Sequence, residues 1–246
     1  MNTQESAARI IVALDVKTRA EALSLVSELR DTVVFKVGLE LFTSEGPALI
    51  QDIRKLGKQV FLDLKLHDIP NTVAEAVRAG VRHGASFMTI HCAGGAEMMA
   101  AAVAAAAEAS RQGERSRPRL LGVTVLTSLK DEQLAQVGMS TPTGSQVVRL
   151  ARLAVEAGMD GIVSSPQEIE LLRNEIRGDF LIVTPGIRPA WAAANDQKRI
   201  MTPGQALEKG ADYLVIGRPI TKADSPAQAF RRILDELEAG PDRPVR

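Results

Sequence analysis

Phe61-Leu62-Asp63-Leu64-Lys65-Leu66-His67-Asp68-Ile69-Pro70-Asn71-Thr72 is the stretch whose reading decides the fold, because it sets two acids and a lysine among residues that otherwise read as a buried strand. Residues 59–64 are apolar, short and β-compatible, and side chains two apart on a strand share a face. Asp63 and Lys65 therefore point the same way. Asp68 falls where the chain leaves the strand, and Pro70 followed by Val73-Ala74-Glu75-Ala76-Val77 announces a helix. A D-x-K-x-x-D run at the carboxyl end of a strand is a charged cluster on the rim of a barrel or an open sheet. An isolated Asp-x-Lys is more often a structural ion pair than a piece of chemistry, so the run needs company before it counts as a site.

The strand-then-helix unit recurs on both sides of this stretch. Residues 9–15 (RIIVALD) read as a first strand, and 18–30 as an amphipathic helix capped by Thr18. Residues 33–38 (VVFKVG) are a strand with Lys36 embedded in it, and 44–56 are its helix, closed by Gly57. After the helix over 70–83 come a strand over 86–92 and an alanine-rich helix over 96–110. Residues 119–127 (RLLGVTVLT) give a fifth strand, followed by helical pieces over 130–137 and 146–157. Strands over 160–164, 180–184 and 212–217, with helices over 167–176, 203–209 and 227–238, complete the chain. Eight such units about thirty residues apart demand a parallel sheet covered by helices. The leading expectation is a (β/α)8 TIM barrel forming a single domain over residues 1–246, with an open doubly wound sheet as the alternative. Residues 240–246 read as a loose tail. Between the seventh strand and its helix, the long, weakly periodic segment 185–201 suits a lid or a plain insertion.

Composition narrows the function classes. In 246 residues, 45% hydrophobic content and a balance of 30 acidic against 30 basic side chains leave room for a large core and give no sign of disorder, a membrane span or a nucleic-acid surface. Cys92 is the only cysteine, which excludes internal disulfides and cysteine-rich metal sites and fits a reducing compartment. Residues 1–9 lack the apolar run of a signal peptide, so a cytoplasmic location is expected.

In a barrel the active site lies at the carboxyl ends of the strands, with phosphate commonly bound after strands seven and eight. Unusual residues collect at those ends: Asp15, Lys36, Asp63 with Lys65, Thr127 with Ser128, and Gly217 with Arg218. Scattered core charges would not all fall on one rim. Arg218 beside an unobstructed glycine amide suits a phosphate. His67, His83, His91, Trp191 and Gly94-Gly95 read as structural, none having the spacing of a metal or nucleotide motif.

The run Asp63 to Thr72, together with Val12-Ala13-Leu14-Asp15, Phe35-Lys36-Val37-Gly38, Val125-Leu126-Thr127-Ser128, Thr184-Pro185-Gly186-Ile187-Arg188-Pro189 and Ile216-Gly217-Arg218-Pro219, resembles the orotidine 5′-phosphate decarboxylases, in the same order and over nearly the whole chain. The resemblance implies decarboxylation of orotidine 5′-monophosphate without metal or organic cofactor, in a homodimer whose sites lie at the interface. It implies that Lys65 delivers a proton to C6, within an alternating set of Lys36, Asp63, Lys65 and Asp68. It further implies that Asp15 and Lys36 hold the ribose hydroxyls, that Thr127 or Ser128 meets the pyrimidine, and that Arg188, Gln197, Gly217 and Arg218 take the phosphate. Asp68 and Thr72 would reach into the neighbouring subunit's site. Two rivals remain at the level of sequence. One is a metal-dependent sugar-phosphate decarboxylase or aldolase of the same barrel superfamily, which would need an acidic ligand where Lys36 stands. The other is a noncatalytic phosphate-binding barrel.

Overall fold

A computed structural model describes residues 3–113, 115–139, 142–192 and 201–239. Eight parallel strands close into a barrel in the order in which they occur in the chain. They are β1 (Ile10–Ala13), β2 (Val34–Gly38), β3 (Gln59–Leu66), β4 (Phe87–His91), β5 (Arg119–Val123), β6 (Gly161–Val163), β7 (Leu181–Thr184) and β8 (Tyr213–Ile216). The helices around them are α1 (Thr3–Arg9), α2 (Arg19–Glu28), α3 (Leu39–Glu45), α4 (Ala48–Lys55), α5 (Pro70–His83), α6 (Ala96–Gln112), α7 (Asp131–Gln136), α8 (Thr143–Glu156), α9 (Ile169–Glu175), α10 (Pro203–Glu208), α11 (Arg218–Thr221) and α12 (Pro226–Ala239). The closed barrel rules out the open sheet. The tail over 240–246 lies outside the described residues, as does the middle of the segment 185–201.

Strand alternation builds two cores from one set of strands. Ile11, Ala13, Val34, Phe61, Phe87, Leu121, Val183 and Val215 face inward and fill the barrel. The outward positions, among them Ile10, Val12, Phe35, Val60, Leu62 and Ile182, join the helix faces in a larger outer core. Fully burying a phenylalanine or leucine contributes roughly 1.5–3 kcal/mol, so these layers are the main source of stability. Phe61, Phe87 and Tyr213 meet edge to face inside the barrel, with centroids 5.9 and 5.3 Å apart.

Local signals place the elements. Thr18 and Glu21 form a reciprocal capping box that starts α2, and Thr202 and Gln205 do the same for α10. Pro70 opens α5, and Gly84 ends it in the left-handed conformation at φ 83°. Several boundaries differ from the sequence reading, among them the first strand, which ends at Ala13 and leaves Asp15 in the loop beyond it. The helix expected over 44–56 is two, because Gly46 at φ 67° and Pro47 break it between α3 and α4. The fifth strand ends at Val123, so Thr127 and Ser128 lie in the loop beyond it. β3 runs on to Leu66, and α1 and α11 are additional short helices. None of these changes moves a predicted rim residue off the rim.

Candidate active site

At the carboxyl end of the barrel a cavity of about 290 Å³ is lined by Asp15, Lys36, Asp63, Lys65, Thr127, Arg188, Gly217 and Arg218, eight of the sequence-predicted residues. β1, β2 and β3 bring the first four into one chain of alternating charge. The Lys36 ammonium lies 3.2 Å from Asp15 and 3.7 Å from Asp63, and the Lys65 ammonium lies 2.9 Å from Asp63. Asp63 is only 15% exposed and Lys36 12%, so bulk water screens the inner pairs less than it would on an open surface. Two carboxylates and two ammoniums sum to zero, and each pair holds its two side chains in place.

Room for this packing comes from missing side chains. A Cβ on Gly38 would stand 3.1 Å from the Lys36 ammonium, and one on Gly217 would stand 3.2 Å from the Asp15 carboxylate. Both are tighter than ordinary van der Waals contact.

The expectation that Asp63 and Lys65 share a face holds, although simple alternation does not produce it. Strand pairing with β4 is irregular between Leu62 and Leu66, and Lys65 has φ 51°, the only described non-glycine residue with positive φ. That conformation is uncommon for a side chain this large, and strain of this kind persists only where the surroundings over-determine it. Thr89 on β4 supplies the determination. Its hydroxyl accepts the Lys65 backbone N–H at 2.9 Å and donates to Asp63 Oδ1 at 2.9 Å. One buried hydroxyl thus fixes both the lysine's backbone and the carboxylate that receives its ammonium. Thr89 was not among the residues expected from sequence, since a threonine within FMTIH is an ordinary β-branched strand residue.

At the far side of the cavity Arg188 is 5% exposed, while Arg218 is exposed at the start of α11. The Arg188 backbone N–H donates to Met201 at 3.0 Å, so the two ends of the segment 185–201 are tied together beside the cavity. Gln197 lies outside the described residues. Ser128 is exposed and does not line the cavity, whereas its neighbour Thr127 does.

Asp68 and Thr72 are exposed and also lie outside the chain's own cavity. The Asp68 carboxylate accepts the Ile69 N–H at 2.7 Å, and the Ile69 side chain is 66% exposed. A second, smaller opening of about 170 Å³, walled by Gly38, Leu39 and Glu40, also reaches Lys36, Asp63 and Lys65. The charge array can therefore be approached from two sides.

His67 stacks on His91 at 5.2 Å, and burial, with His67 and Lys65 nearby, pulls His91 below its ordinary pKa. Burial pushes the Cys92 thiol up to about 12, far from reactivity. Trp191 packs against the outer core with Arg232 over its ring at 4.6 Å. Among the described residues no group of three or more His, Cys, Asp or Glu side chains could hold a metal ion.

Comparison with known proteins covers nearly the whole chain. A profile of the orotidine 5′-phosphate decarboxylase / HUMPS family matches residues 8–233. The chain belongs to this family. A relative from Pelobacter propionicus, named orotidine 5′-phosphate decarboxylase, is 53% identical over 98% of the chain and 99% of its own length. One of the same name from Geobacter sulfurreducens is 51% identical over 98% of the chain and all of its own length. The crystal structure of orotidine 5′-phosphate decarboxylase from Lactobacillus acidophilus superposes with a TM-score of 0.83 at 39% identity, covering 94% of this chain and 99% of that one.

Proposed function

We propose that the protein converts orotidine 5′-monophosphate to uridine 5′-monophosphate and carbon dioxide, the decarboxylation step of pyrimidine synthesis, with Lys65 as proton donor to C6. The observation that carries this reading is the Lys36–Asp63–Lys65 array, its ammonium and carboxylate 2.9 Å apart, in one cavity with Arg188 and Arg218. The C6–carboxylate bond breaks, carbon dioxide leaves neutral, and the electron pair stays on C6. The pyrimidine ring delocalises that pair poorly. A fixed ammonium therefore stabilises the transition state more than the ground state, which is what accelerates a chemical step. Lys65 Nζ then gives a proton to C6 and regains one from solvent.

Asp63 adds a second effect. Placed beside the substrate's carboxylate it raises the ground state, since two like charges 4 Å apart repel by about 4 kcal/mol at an effective dielectric near 20. The repulsion vanishes with the neutral product. Asp15 and Lys36 are assigned to the ribose hydroxyls, Thr127 to the pyrimidine, and Arg188, Gly217 and Arg218, with Gln197, to the phosphate. Binding energy from that distant group supports catalysis at C6. Lys36 also sits between the two carboxylates that a divalent ion would need, which favours this reading over the metal-dependent sugar-phosphate enzymes.

Lys65→Ala should lower turnover more than about 10⁴-fold, the loss of both a proton donor and a counter-charge, while the melting temperature stays near that of wild type. Near-normal turnover by the folded variant would remove Lys65 from the chemistry.

The assembly is assigned as a homodimer in which Asp68 and Thr72 complete the partner's site. Their exposure, the apolar Ile69 beside them, and the second opening onto the charge array support it. Mixing inactive Lys65→Ala with inactive Asp68→Ala should restore activity, because a mixed dimer rebuilds one intact site. No recovery from subunits shown to exchange would contradict shared sites. Among the described residues no helix is long and apolar enough to cross a membrane; a cytoplasmic location is part of the same proposal.

A further inference from the structure

The opposite end of the barrel holds a cavity of about 560 Å³ where the loops entering β3, β4 and β5 meet. Arg54, Lys58, Arg115, Arg117 and Arg119 line it, and none of the described lining residues carries a carboxylate. Arg117 is neutralised by Asp160 at 2.7 Å. Arg54, Lys58, Arg115 and Arg119 form no ion pair among the described residues. Asp31 acts on Lys58 only at longer range and is itself bonded to Arg231 at 3.1 Å.

These cations are positioned rather than scattered. Arg119 donates to the Tyr213 hydroxyl at 2.7 Å and lies over the Phe87 and Tyr213 rings, which seats it on the floor of the barrel. The Arg54 guanidinium crosses Gly84 so closely that a Cβ there would fall 2.0 Å from it. Burial and the facing Arg115 both work against the charge on Arg54. The neighbouring sector of the same face is built differently: Asp160 and Asp212 pair with Arg117 and Arg173 while also accepting the Leu120 and Ile182 N–H groups. A floor built only for stability would pair its charges in this second way.

We propose that this cavity is a binding site for a di- or triphosphate chain, either free or as the tail of a nucleotide. A concave wall of one sign concentrates anions, and guanidinium forks match phosphate oxygens in bidentate geometry. A phosphomonoester brings at most about two negative charges at neutral pH, whereas four cations without an ion pair among the described residues, two flanking the α4–β3 connection and two the α6–β5 connection, call for a longer chain, even with the Lys58 ammonium donating one bond to the Arg30 carbonyl. The volume lies within the roughly 300–1,000 Å³ of small-molecule sites. An extended nucleic acid fits less well, because Asp160, Asp179 and Asp212 border the basic sector beside Arg119.

The test is calorimetric titration of the full chain with tripolyphosphate, using wild type, Arg115→Glu and Arg218→Ala, each verified by its melting temperature. Arg115→Glu should weaken binding at least tenfold and Arg218→Ala should leave it unchanged. Arg54→Gln, a milder change on the facing wall, should also weaken it. Equal affinity in wild type and both N-terminal-face variants, or loss confined to Arg218→Ala, would overturn the proposal by placing the anion in the active-site cavity. Orthophosphate binding as tightly as tripolyphosphate would overturn the chain-length argument, and a single-stranded oligonucleotide binding more tightly than either would replace it with a nucleic-acid surface. ATP matching tripolyphosphate identifies the phosphate chain alone as the recognised group, and ATP binding at least tenfold tighter identifies a nucleotide as its source.

Discussion

The two mouths of this barrel treat charge in opposite ways. At the carboxyl end Asp15, Lys36, Asp63 and Lys65 alternate in sign and sit within 3.7 Å of one another along the chain of pairs. At the amino end Arg54, Lys58, Arg115 and Arg119 gather around one cavity with no acid among its described lining residues. The first arrangement is complete before any ligand arrives, which is what preorganised catalysis requires, since nothing has to reorient as charge develops. The second lacks its counter-charge, which is what a binding site for an anion looks like when empty of acids. Strand direction explains why the first end can be so ordered: parallel strands deliver residues from successive βα units to one rim at fixed spacing.

The contrast can be broken at either end. After Lys65→Ala, the largest effect should come from Asp63→Asn, which removes the carboxylate that holds two ammoniums; turnover should fall about 10²–10³-fold, and a fall in substrate affinity alone would show that Asp63 only binds. Arg218→Ala should weaken binding of the phosphorylated substrate roughly tenfold to a hundredfold, the worth of a charge-assisted hydrogen bond, and leave binding of the bare nucleoside nearly unaltered. Equal losses for both would take Arg218 out of the phosphate site. Thr89→Val should lower kcat about tenfold with little change in KM and cost about 1–3 kcal/mol of stability, because the Lys65 N–H loses its acceptor inside the barrel wall. Thr89→Ser should recover both, and a kcat untouched by the valine would reduce Thr89 to a packing residue. At the other mouth Tyr213→Phe should lower stability by about 1 kcal/mol and leave turnover at the wild-type level, since it removes only the hydroxyl that accepts from Arg119.

Most of the architecture could be read from residue order. The eight apolar strands and their helices appear as alternating patterns, and the charged residues stand at the strand ends where a barrel puts its chemistry. What escaped that reading depended on local conformation or on contacts distant in sequence. The break at Gly46 and Pro47 was hidden by the helical periodicity on both sides of it. α1 escaped because a seven-residue helix with only Ser6 and Ala7 buried leaves almost no periodic signal. Period-two alternation put Lys65 beside Asp63, yet the backbone reaches that placement through a left-handed residue and an irregular β3–β4 pairing. Thr89 is 24 residues from Lys65 in the chain, and only the closed sheet brings its hydroxyl to both groups. Asp68 and Thr72 illustrate the converse, being prominent in the motif but absent from the cavity that their own chain forms.

The most direct measurement is the ultraviolet absorbance of orotidine 5′-monophosphate mixed with the purified wild-type protein, with and without a strong metal chelator. The account predicts loss of the orotate band at the same rate in both samples, because the charges that drive decarboxylation are side chains already in place. An unchanged band in a protein shown to be folded, or a loss that the chelator abolishes, would contradict it.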